Sequence, residues 1–209
     1  MAPPDTRTQI LDAAERLFAE RGFRGTSVRA ITDLAGANLA AVGYHFGSKS
    51  ELLAQVVRRV VEPINAAQCA ELDRLLARTQ DPTVTELVEA FAGPLFDETP
   101  AGDEGGARAS RLIVMIFGDP AEEMRNWTGP AEETVRDRYL AAFARALPGL
   151  SAEELWFRMR GILAVTAVDR VEVYNRCPPA CVSPEAGEAT QRWAITFLAA
   201  AMSAPPTET

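Results

Sequence analysis

TSVRAITDLAGANLAAVGYHFGSK, residues 26–49, parses as two short helices joined by a turn. Thr26 or Ser27 can accept the free backbone N–H groups of a first helical turn. Val28, Ile31, Leu34 and Ala35 then form an apolar stripe. Gly36 stands where a helix ends in a left-handed residue. Asn38 is a good cap for a second helix over Leu39 to His45. Between the helices lie only three or four residues, the spacing a helix-turn-helix needs. The stretch also holds the chain's single His (His45) and single Lys (Lys49), since the other 20 of its 21 basic residues are Arg. With Tyr44 they crowd the end of the second helix, a layout suited to gripping phosphates.

The flanks extend the pattern. Upstream, Ile10, Ala13, Ala14, Leu17 and Phe18 share one helical face that would close a three-helix core, with Gly22 at its end. Downstream, Ser48-Lys49-Ser50-Glu51 has the S-x-x-E spacing of a capping box, followed by Leu52-Leu53.

AAERLFAERGFRGTSVRAITDLAGANLAAVGYHFGSKSELL resembles the DNA-binding domain of the TetR family of transcriptional regulators. The likeness runs over roughly residues 8–54, with LF, G, TS, AG, YHF and K in the usual order. The NLAAV-x-YHFGSK portion is similar to the PsrA-type, fatty-acid-responsive subgroup. The chain departs from the family pattern at Gly43, where a polar or aromatic residue is usual. Glycine costs about 1 kcal/mol against alanine within a helix. The resemblance implies an all-α protein: a helix-turn-helix DNA-binding domain over 1–54, and a helical ligand-binding and dimerisation domain over 55–209. It implies phosphate contacts from Ser27, Arg29, Tyr44, His45 and Lys49. Base reading would fall to Asn38, Leu39, Ala40, Ala41 and Gly43, where alanine methyls suit thymine methyls.

Charge is distributed to match. The chain carries −8 overall, yet residues 1–50 hold six basic and five acidic groups, leaving 15 and 24 for the remainder. Phosphate binding needs a local patch rather than a positive total. There is no apolar run of 18 residues, so no membrane span is expected. The start, MAPPDTRTQ, lacks the parts of a signal peptide, and a cytoplasmic location is expected. Cys69, Cys177 and Cys181 suggest free thiols. With one His, neither a zinc site nor a nucleophile–base pair has its ligands, so no cofactor and no catalysis are expected.

Beyond Lys49 the pattern is helical. One long helix reaches about Arg78 with Pro63 inside it, where a kink is expected. Further helices are expected at about 83–98, 106–117, 130–147, 151–175 and 184–203, with 99–106 a loop. The last two look built for pairing. Gly161, Ala164, Ala167 and Val168 form a narrow face on one, and Phe197, Leu198, Ala200 and Ala201 an apolar end on the other. TetR-like proteins dimerise through these helices, and two recognition helices related by a two-fold axis read a palindrome. Apolar helices bearing Phe117, Trp127, Trp156 and Met159 stand where TetR-like folds enclose an inducer. The expected function is a homodimeric repressor on a double-stranded operator, released by an apolar small molecule such as a fatty acid or acyl thioester. An activator, a ligand-dependent binder, or a helical carrier with a vestigial helix-turn-helix are the alternatives.

Overall fold

The computed structural model describes residues 5–97, 104–118, 130–168 and 186–206. They form nine helices and no strand: α1 Thr6–Gly25, α2 Val28–Ala35, α3 Leu39–Phe46, α4 Lys49–Arg78, α5 Val84–Asp97, α6 Glu104–Gly118, α7 Pro130–Ala146, α8 Ala152–Val168 and α9 Ala186–Met202. The chain divides into two compact units, Met1–Glu62 with Arg108–Trp127, and Pro63–Ala107 with Thr128–Thr209. On the long α4 the division falls at Pro63. α6 begins at Glu104, so Gly105 and Gly106, expected in a loop, are helical.

The first unit has one core. Ile10, Ala14, Leu17 and Phe18 of α1, Ile31 of α2, Val42 and Phe46 of α3, and Leu52, Leu53, Val56 and Val57 of α4 are buried together, with Leu112 of α6 among them. Each large apolar side chain removed from water this way contributes about 1.5–3 kcal/mol. Around this core, Arg59 of α4 pairs with Asp12 at 2.7 Å and with Glu15 of α1, and Arg108 of α6 lies 3.6 Å from Glu15.

One expectation is corrected here, and one open choice is decided. Leu34 is exposed, because it lies about a quarter-turn off the Val28–Ile31–Ala35 row and an eight-residue helix buries only a narrow stripe. Thr26 is not the cap of α2. It is buried, and its hydroxyl reaches the carbonyls of Leu17 at 3.0 Å and Gly22 at 2.8 Å, while Ser27 caps. Gly22 adopts φ 69, ψ 174 and breaks α1 there.

The second unit packs α5, α7, α8, α9 and the later turns of α4. Leu72, Leu87, Val88, Phe91, Tyr139, Phe143, Leu155, Met159, Ile162, Leu198 and Met202 form its core. Tyr139 is buried with its hydroxyl donating to the Gln68 carbonyl at 2.9 Å, and Gln68 donates through Nε2 to the Phe91 carbonyl at 2.7 Å. Burial raises the Tyr139 phenol above its ordinary range, so it remains a donor. Arg158 of α8 donates to Glu154 and to the carbonyls of Met202, Ala204 and Pro205, closing the C-terminal end of α9.

Candidate nucleic-acid interface

Two tight turns present the surface. Ser27 Oγ accepts from the Ala30 N–H at 3.1 Å, which fixes the start of α2 and leaves its N-terminus open to solvent. Gly36, at φ 64, ends α2. Asn38 Oδ1 accepts from the Ala40 N–H at 3.0 Å and starts α3, and Gly47, at φ 78, ends it. Ser48 Oγ then accepts from the Glu51 N–H at 3.1 Å and starts α4 at Lys49. Two helix N-termini, each a ready site for a phosphate oxygen, therefore bracket α3.

α3 has two faces. Val42 and Phe46 point into the core, and Ala41 packs against it half-buried. Leu39, Ala40, Gly43 and Tyr44 face solvent, with Leu39 56% and Tyr44 86% exposed. A leucine and an aromatic facing solvent on one short helix suit a surface that a partner covers. A Cβ at Gly43 would meet no atom within 4 Å, so the glycine is not enforced by crowding.

The cationic groups gather at the end of α3. The rings of Tyr44 and His45 meet edge to face at 4.9 Å, with His45 in the last turn of α3. Lys49 Nζ sits 4.1 Å from the centroid of the buried Phe23 ring, which holds the ammonium at the base of α4. Arg29 is exposed in the first turn of α2.

Sequence reasoning missed Arg7. Its guanidinium lies 5.4 Å from the Phe46 ring and bonds Gln55, adding a cation beside the C-terminal end of α3. Asp5, which caps α1, is held below the usual carboxylate range by the Thr8 N–H and hydroxyl, with smaller contributions from Arg7 and His45. Nothing in the sequence brings Arg7 to residues 46 and 55, because the approach depends on how α1 crosses α3 and α4.

The four residues expected around an inducer are not all described. Trp127 and the Phe117 side chain lie outside the described residues. Met159 is buried in the second core, while Trp156 stands at the surface with Arg160 at 5.8 Å from its ring. Cys177 and Cys181 also lie outside the described residues. Of the residues expected on the pairing face, Ala164, Phe197, Ala200 and Ala201 are exposed, but Leu198 is turned into the core, since Leu198 and Phe197 project from α9 about 100° apart.

The N-terminal residues 10–56 match the family described as bacterial regulatory proteins, tetR family, and residues 89–201 match the tetracyclin repressor-like C-terminal domain. The HTH-type transcriptional repressor AcnR of Corynebacterium efficiens is 35% identical over 97 residues, 46% of this chain and 43% of that repressor. The repressor KstR2 of Mycolicibacterium smegmatis is 38% identical over 124 residues, 58% of this chain and 53% of its own. The chain thus spans about half the length of these curated relatives. A putative tetR family transcription regulator from Shewanella sp. PV-4 superposes with a TM-score of 0.63 at 19% identity, over 94% of this chain and 96% of that one. At that identity the likeness is one of fold. No helix among the described residues is long and apolar enough to cross a membrane.

Proposed function

The chain belongs to the TetR family of bacterial regulators, and from that premise we propose that it is a transcriptional repressor that binds a palindromic operator as a homodimer and is released by an apolar effector. The observation that carries this reading is the outward face of α3, Leu39, Ala40, Gly43 and Tyr44, bracketed by the capped N-termini of α2 and α4. Leu39, Ala40 and Gly43 offer bases no hydrogen-bonding side chain. Discrimination then rests on methyl contacts, on Asn38, and on groove shape. Ser27, Arg29, Tyr44, His45 and Lys49 position the helix on phosphates.

Dimerisation is supported by the surface of the second unit. Phe157 on α8 and Trp193 and Phe197 on α9 are each at least 60% exposed. Three large aromatics open to water on two neighbouring helices suit a symmetric partner. In the two-state mechanism, the free dimer holds its recognition helices about 34 Å apart, and effector binding favours another separation and lowers DNA affinity by linkage. Its effector would lie among the aromatic and methionine side chains of the second unit, Met159 and Trp156 among them. The PsrA-like sequence of α3 favours a fatty acid or acyl thioester.

A gel-shift titration on a duplex enriched from a random library, with acids of increasing chain length added, tests the reading. Affinity for the acid should climb with chain length, at about 0.8 kcal/mol per buried CH2 group, then level off, with DNA released in parallel. Release of DNA only by a compact polar ligand would end the fatty-acid reading and leave the repressor.

A further inference from the structure

Asn65 breaks a rule the other described residues obey. It is 92% buried on α4, yet its Nδ2 is the one buried side-chain nitrogen or oxygen among the described residues without a hydrogen-bond partner. A buried amide left unpaired costs stability and calls for a reason. Packing gives none. Asn65, Gln68 and Leu72 follow at i, i+3 and i+7, so Asn65 lies on the face of α4 that one turn later enters the second core. Gln68, buried on the same side, has partners: its Nε2 ties α4 to the Phe91 carbonyl of α5, and its backbone carbonyl takes the Tyr139 hydroxyl.

Two buried apolar residues lie near this level of α4 and α5, Ile64 and Leu95. Arg78 pairs with Glu86, and Gln68 with Phe91, so α4 and α5 run antiparallel and Asn65 is level with about Leu95. Ile64 and Leu95 are buried, but belong to neither of the two continuous cores among the described residues.

We propose that Asn65 is the polar anchor of an effector site in the second unit, its Nδ2 donating to an oxygen acceptor, carbonyl or carboxylate, on an otherwise apolar ligand. This deepens the effector reading above and rests on it. A single unpaired donor in an apolar setting sets orientation and selects against hydrocarbons that lack the acceptor.

The test is calorimetric titration of octanoate and of 2-octanone into the wild-type chain, Asn65→Leu and Asn65→Asp. The wild type should bind at least one of the two, and which one tells carboxylate from neutral carbonyl. Asn65→Leu should weaken that binding about tenfold, the loss of one buried hydrogen bond. Asn65→Asp should abolish octanoate binding by placing like charges together. Without ligand, Asn65→Leu should raise the melting temperature, because it removes an unpaired polar group of similar size. Equal affinities for wild type and Asn65→Leu, binding of neither compound, or a lowered melting temperature would overturn the proposal. Gel shifts on an enriched duplex separate this failure from that of the repressor reading: the variants should shift DNA as the wild type does, and a wild type that shifts none would sink the repressor whatever Asn65 does.

Discussion

Thr26 and Ser27 are neighbours with the same functional group, and the fold gives them opposite tasks. The Thr26 methyl and hydroxyl go inward, locking the end of α1, and Ser27 faces solvent and caps α2. Sequence left the choice between them open because either hydroxyl satisfies a cap; burial decided it. Thr26→Val keeps the shape and removes the donor, so it should cost about 1–3 kcal/mol, read as a lower urea midpoint. Ser27→Ala should cost about 1 kcal/mol. The sequence suggests a phosphate role for Lys49 but not its seat on the Phe23 ring, since that contact joins residues 26 apart in sequence. Lys49→Ala and Arg29→Ala should each lower the salt slope of DNA binding by about one and weaken all sequences alike. An unchanged slope in both would remove these residues from the interface.

The helices themselves were read with little error, because their signals are local. Ser27, Asn38 and Ser48 cap where a polar residue precedes an apolar row. Thr83 and Glu86 form a full reciprocal box at the start of α5, at 2.9 and 3.2 Å. The orientation of a helix about its own axis was less legible. The sequence places Phe197 and Leu198 on one apolar end, and only packing separates the outward ring from the inward leucine. Caps also set a pH dependence. Asp5 and Glu86 are held below the usual carboxylate range, chiefly by backbone N–H groups of Thr8 and Thr83. Their contribution is therefore complete above the ordinary carboxylate pKa and is lost as pH falls through the depressed values. Asp5→Asn with Glu86→Gln should flatten the loss of stability below about pH 4, measured by thermal melts across pH. Gly43→Ala should raise helix stability by about 1 kcal/mol, since its Cβ meets open space, while altering which operators are retained.

At the scale of the whole molecule, the exposed aromatics of α8 and α9 and the single short α3 of each chain belong to one argument. A lone α3 reads too few base pairs for specificity, and a dimer doubles the site. Ala164 is exposed on α8, so Ala164→Asp should leave the chain folded, yield monomers in sedimentation, and lose operator binding in the same step. A stable dimer in that variant would move the interface elsewhere. The proposed effector site is the part least legible in sequence, because distant residues would have to converge on it and any one Met or aromatic serves a core equally well, as Met159 does. Central to the account is that two copies of α3 read a palindrome. Selection of duplexes from a random library by the full-length chain, followed by sequencing, tests this most directly. Enrichment of an inverted repeat whose half-sites lie about one helical turn apart, lost in Ala164→Asp, is the predicted result; no enrichment, or a single half-site bound equally well by wild type and variant, would contradict it.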